Sequence, residues 1–295
     1  MLKNFASFTL SGRLPAFTVV FGFLIFALAF PLSAIISGAA LVLITLHAGP
    51  RNSILIALAC VLALAICSYL FIGNANIGAI TAAAQLMPSF LLATVLYSTR
   101  SLSLSMQAGA LLGAVTFVIA TAIFPDTQQF WQSTLNPILS PVLEARGSSQ
   151  EHIASVIALT AKYMTGLLIA SVVLVHSCIL LFGYKLHSLV NTSIPFDADF
   201  KQMRLGTVLA ILALITGIWA FLTQSAFAAQ LCIILGVLFF LQGMAVIHTI
   251  CGTMTKGKLW LIIAYLLVIF IPQAILIVIL LGLFETFIKL RQRIK

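Results

Sequence analysis

Residues 54–72 read ILIALACVLALAICSYLFI, an unbroken apolar stretch without one charged side chain. Crossing the roughly 30 Å hydrocarbon core of a bilayer takes about 20 apolar residues in a helix. The stretch shows no alternation of polar and apolar positions, so it lacks the two-residue period of a barrel strand. Backbone groups in lipid must be hydrogen-bonded within the chain, which leaves helices. The same pattern recurs on both sides. Further apolar runs cover 14–30, 31–46, 77–97, 104–124, 153–183, 205–222, 227–254 and 259–288. Of the 295 residues 62% are hydrophobic and only 7% charged, with a mean hydropathy of +1.20. A soluble domain carries roughly 25% charged residues. The fold class read from this is all-α: a polytopic transmembrane helix bundle of about eight to ten spans, whose first partner is the lipid bilayer.

The net charge of +9 does not indicate nucleic acid, because the basic residues sit in the short gaps between apolar runs rather than on one face. With the N-terminus in the cytoplasm, Arg51, Arg100, Lys185, Lys201, Arg204, Lys256 and Lys258 fall inside. Arg146 falls outside beside Asp126, Glu144 and Glu151. Nine spans would place the basic tail 289–295 outside. Either the last run is a hairpin of two half-helices meeting at Pro272-Gln273, or one N-terminal pair does not fully span. Lys3 and Arg13 precede the first run without a small-residue cleavage site after it, as expected of a retained first helix.

The spans group into a six-run membrane unit at 1–183, a cytoplasmic loop at 184–204, and C-terminal membrane helices with the tail at 205–295. Inside the first unit, 125–151 is the longest polar stretch. It carries Trp131 among apolar residues at helical spacing, with Pro137 and Pro141, and reads as an outer segment lying at the interface.

Ionisable and amide groups inside apolar runs are the candidate ligand-binding residues. Lys162 lies about ten residues into its run and could hold an anionic group or snorkel to the interface. His176 lies fourteen residues on, nearly the same face and about 21 Å away. Gln85 stands near Pro88; Gln242 and His248 share one run; Trp131 joins them from the outer segment. Each of these equally suits a hydrogen bond to a neighbouring helix. Ser105, Gly109 and Gly113 recur every four residues on one helix face, and Gly166 belongs to a second small-residue stripe, so close helix packing is expected there. Glu285 is expected to pair with Lys289. The five cysteines lie in apolar runs with no metal-ligand spacing. No carboxylate occupies the middle of a span, and no phosphate-binding loop, H-E-x-x-H or G-x-S-x-G is present. No catalytic residue, metal or cofactor is expected, and the chain is not read as an enzyme.

Phe8-Thr9-Leu10-Ser11-Gly12-Arg13, the turn His47-Ala48-Gly49-Pro50-Arg51, Leu241 to His248 and Gly282 to Arg291 resemble the YybS-like family of predicted bacterial integral membrane proteins. That family looks distantly similar to the substrate-binding membrane components of energy-coupling-factor transporters, which have six helices with both termini inside. The resemblance implies a multi-pass protein of the bacterial inner membrane. It also implies a lid at 125–151 over a ligand, and an energising module or other membrane proteins as partners. Two functions follow as expectations: a small-molecule binding or transport component, and, as the alternative, a non-transporting membrane scaffold or assembly factor.

Overall fold

The structure is a computed structural model that describes residues 1–288 and 290–293. Among these residues the chain is helical, with no strand. Five helices are long and apolar enough to cross a membrane: α4 (Pro50–Ile72), α5 (Ala75–Thr99), α6 (Leu102–Ile123), α8 (Gln150–Val190) and α11 (Ala226–Gly252). The number rises to eight if three bent pairs each count as one span. Those pairs are α1 (Leu2–Thr9) with α2 (Arg13–Phe26), α9 (Phe196–Gln202) with α10 (Thr207–Thr223), and α12 (Gly257–Phe270) with α13 (Pro272–Ile288). The remaining helices are α3 (Ser33–Ala48), α7 (Thr127–Ala145) and the short α14 (Leu290–Arg293).

The helices fall into two compact units, Met1–Gly109 with Leu174–Met203, and Ala110–Val173 with Arg204–Lys295. This differs from a continuous 1–183 segment, because α6 and α8 are each shared between units. At 1.5 Å per residue the 41 residues of α8 run to about 60 Å, twice the thickness of a bilayer core. Its two ends therefore pack on different helices. The helix continues through Tyr184 to Val190, residues expected to be loop, and the rest of that segment holds α9.

In the first unit α4 packs along α5, and both α2 and α5 pack on α3. The turn at Pro31 folds α3 back onto α2. Ser37 donates to the Val20 carbonyl at 2.8 Å and Ser33 to the Phe23 carbonyl at 3.1 Å, which fixes an antiparallel pair of short helices. Gly49 at φ +84° separates α3 from α4, with Pro50 as the first residue of α4, where its missing N–H costs nothing. The core here joins Val20, Leu24, Leu41, Ala57, Leu64 and Leu86.

In the second unit α11 is the central helix and packs most extensively on α13, then on α10. A Cβ at Gly243 would stand 2.1 Å from the Val278 carbonyl oxygen, and one at Gly282 would stand 2.0 Å from that of Phe239. Glycine at these two positions lets the backbones of α11 and α13 touch. Phe117, Ile169, Val173 and Ile234 form a second apolar cluster. The last apolar run breaks at Ile271 and Pro272 with a 119° bend, the half-helix pair anticipated as one alternative for it. Glu285 is paired with Arg291; the expected pair with Lys289 falls outside the described residues. The Arg291 guanidinium Nε donates to Glu285 Oε1 at 2.8 Å, with both residues buried.

Candidate functional site

The polar stretch after α6 is a helix. α7 carries Pro137 and Pro141 in its interior, no residue of it is buried, and it lies against the first part of α8. The contact is made by Trp131, whose indole Nε1 donates to Thr165 Oγ1 at 2.8 Å. Phe130 meets the Trp131 ring edge-on at 5.2 Å. Around this bond lies a cavity of about 520 Å³. Its apolar wall comes from Ala120 and Ile123 at the end of α6, from Phe124 just beyond it and from Phe130, and Asp126 and Thr127 also line it. Small-molecule sites run to roughly 300–1,000 Å³, apolar in the main with a few placed polar groups.

A second cleft of about 520 Å³ opens between the same two helices. Gln129, Gln132, Ser133 and Asn136 line it from α7, and Ala154, Ile157 and Ala158 from α8. The four polar residues recur at positions i, i+3, i+4 and i+7, one face of α7. The small side chains of α8 leave the room in front of their amides.

Ala158, Lys162 and Thr165 follow at i, i+4 and i+7, so they share one face of α8, and Ala158 stands about 10 Å from Thr165 along the axis. Along the axis of α8, Lys162 comes between residues that line the two openings, and it lines neither itself. It is half-buried, its ammonium lies 5.5 Å from the centroid of the Tyr163 ring, and it forms no ion pair among the described residues.

His176 and Gln85 meet in the first unit. Pro88 has no N–H, so the Ala84 carbonyl loses its helix partner and the ladder of α5 loosens there. One residue on, the Gln85 carbonyl accepts from His176 Nε2 at 3.3 Å, and the Gln85 amide donates to the Ala34 carbonyl at 3.1 Å. Ser89 and Ser177 beside these residues are buried with hydroxyls that find no partner among the described residues.

Gln242 and His248 serve other ends. Gln242 is fully buried; it accepts from the Leu205 N–H at 2.8 Å and donates to the Gly282 carbonyl at 2.7 Å and to Thr286 Oγ1 at 2.9 Å. His248 Nε2 lies 2.9 Å from the Tyr265 hydroxyl. The candidate ligand residues thus do not converge on one pocket: Trp131 and Lys162 belong to the α7–α8 region, Gln85 and His176 form a separate polar contact, and Gln242 ties α11 to α13 and to the backbone just before α10. The small residues pack within the chain. Ser105 donates to the Leu92 carbonyl, Gly109 rests on Leu92, Gly113 meets Val173 and Ile234, and Gly166 meets Gln230, which accepts its N–H at 2.7 Å.

Sequence reasoning passed over Thr165 and the amide row of α7. The first carries no signal in a run rich in Thr and Ser; the second was visible in the i, i+3, i+4, i+7 spacing. Comparison with family models, with curated proteins and with solved structures gives no match.

Proposed function

We propose that this chain is a multi-pass protein of a bacterial inner membrane that binds a small amphiphilic molecule between α7 and α8, as the ligand-binding component of a transport or uptake system. The observation that carries the reading is the α7–α8 site itself. An apolar cavity, a row of uncharged amides on α7 and, on the facing α8, one ammonium without an ion pair among the described residues lie in the α7–α8 region. Such a lining fits an apolar body, a hydrogen-bonding portion and an anionic group. The charge pattern favours a cytoplasmic N-terminus, which puts α7 on the outer side. The 119° bend between α12 and α13 favours a re-entrant pair that returns the basic tail to the cytoplasm. The alternative, a non-transporting scaffold or assembly factor, rests on the small-residue stripes and on the scarcity of buried ionisable groups; the four residues named from the stripes pack inside the chain.

The test is retention. The full-length protein is purified from its membranes in mild detergent and the bound small molecules are extracted and identified by mass spectrometry. Wild type is expected to carry an anionic amphiphile, and Lys162→Met to carry about tenfold less, the order of one charge-assisted hydrogen bond. Wild type purified empty, or equal retention by Lys162→Met and Trp131→Phe, would overturn the assignment.

A further inference from the structure

Between α1, α2, α3 and α4 in the first unit lies a pocket of about 200 Å³. Its polar lining is Thr9, Arg13, His47 and Asn52, and its apolar walls include Leu10, Ile44 and Ile56. The pocket is held by packing. Ala6 and Thr9 of α1 are fully buried, and Ala6 belongs to a cluster with Ala39, Leu43 and Leu186.

Arg13, His47 and Asn52 stand exposed at its mouth and bring N–H donors to it, while the Thr9 hydroxyl already donates to the Phe5 carbonyl. The Arg13 guanidinium has five N–H groups and makes no hydrogen bond or ion pair with any described residue. Asn52 uses Nδ2 to donate to the Ala48 carbonyl at 2.8 Å, which leaves its second N–H. His47 presents a ring that touches His187 edge-on at 6.0 Å. No carboxylate competes: the acidic residues of this unit are Asp197 and Asp199, held by Lys185 and by the Tyr184 hydroxyl. An anion is the partner that the exposed Arg13 guanidinium and the free Asn52 N–H suit. The volume is below that of drug-sized sites and suits a single phosphate group. Isoleucine and leucine at the walls give an attached chain an apolar path out of the pocket.

We infer that this pocket binds the phosphate headgroup of an anionic lipid, with the Arg13 guanidinium as its principal ligand and Asn52 and His47 beside it. Basic pockets between transmembrane helices hold lipid headgroups in this way. The lipid would tie α1 to the helix pair α3 and α4 from the membrane side.

Native mass spectrometry of the full chain, released from detergent after addition of phosphatidylglycerol, phosphatidylcholine or inorganic phosphate, tests this. Wild type is expected to keep one phosphatidylglycerol and to prefer it over phosphatidylcholine. Arg13→Gln is expected to weaken retention about tenfold, as the loss of one charge-assisted hydrogen bond does. Arg13→Lys, which keeps the charge, is expected to retain part of it, and Arg51→Gln, outside the pocket, to retain all of it. Equal loss in Arg51→Gln would make the attraction a bulk charge effect and overturn the site. Displacement of the lipid by millimolar inorganic phosphate would overturn the lipid as occupant and leave a free-phosphate pocket. Undiminished retention in Arg13→Gln would overturn both.

Discussion

Gly282→Ala places one methyl group where α13 touches α11. The new Cβ would lie 2.0 Å from the Phe239 carbonyl oxygen and 2.7 Å from the Gly243 nitrogen, both backbone atoms that no rotamer change can move. Ordinary contact begins near 3.4 Å, so the helices must separate by the difference, about 1.4 Å. Such a shift stretches the 2.7 Å bond from Gln242 to the Gly282 carbonyl beyond hydrogen-bond range. Overpacking of this kind costs about 1–3 kcal/mol, and a lost interhelical hydrogen bond in a membrane about 0.6–2 kcal/mol. Against this stands the better helix propensity of alanine, about 1 kcal/mol. The net expectation is destabilisation of about 2 kcal/mol. The assay is unfolding of the purified protein by a denaturing detergent, followed by tryptophan fluorescence and by size-exclusion. Gly236→Ala is the matched control on α11, because its Cβ would meet only Ile279 Cδ1 at an ordinary 3.6 Å. It should be neutral or slightly stabilised. A Gly282→Ala protein as stable as wild type, or one indistinguishable from Gly236→Ala, would refute the backbone contact.

Two further predictions concern the same unit. Gln242→Leu keeps the volume but removes the acceptor of the Leu205 N–H and one donor to the Gly282 carbonyl, and should cost about 1–3 kcal/mol in the same unfolding assay. Arg291→Met leaves the buried Glu285 carboxylate uncompensated and should cost about 3–5 kcal/mol, whereas adding Glu285→Leu to it should recover most of the loss; a double variant no better than Arg291→Met would sink that account.

Element positions were legible because each depends on local pattern. The turn at Pro31, the glycine–proline junction at 49–50 and the break before Pro272 are all punctuated by residues whose backbone limits are intrinsic. The length of α8 was not legible in the same way. Tyr184, Lys185 and His187 look like loop by polarity, yet they continue the helix because α9 covers them: Lys185 pairs with Asp197 at 2.9 Å, and Tyr184 donates to Asp199. That compensation joins residues on either side of a turn, and no window of sequence shows it. The pairing of Glu285 with Arg291 was not legible for a related reason. The i+4 rule holds along an unbroken helix, and Arg291 reaches the carboxylate from a separate helical turn.

Polarity inside an apolar run identifies residues of consequence without separating structural ties from sites; the state of their donors and acceptors separates them. Gln242 directs its oxygen and its amide to three partners and is wholly enclosed, so nothing remains with which to recognise a ligand. His248 and Gln85 likewise end on a neighbouring helix. Trp131 differs, because its single N–H is satisfied by Thr165 while its ring faces an open volume. Lys162 differs most: it is a half-buried ammonium with a neighbouring ring for company and no ion pair among the described residues, a state that is costly wherever lipid replaces water. An anion bound between α7 and α8 would remove that cost on arrival. In the function proposed above, recognition falls to the α7–α8 pair, where polar side chains stand beside open space.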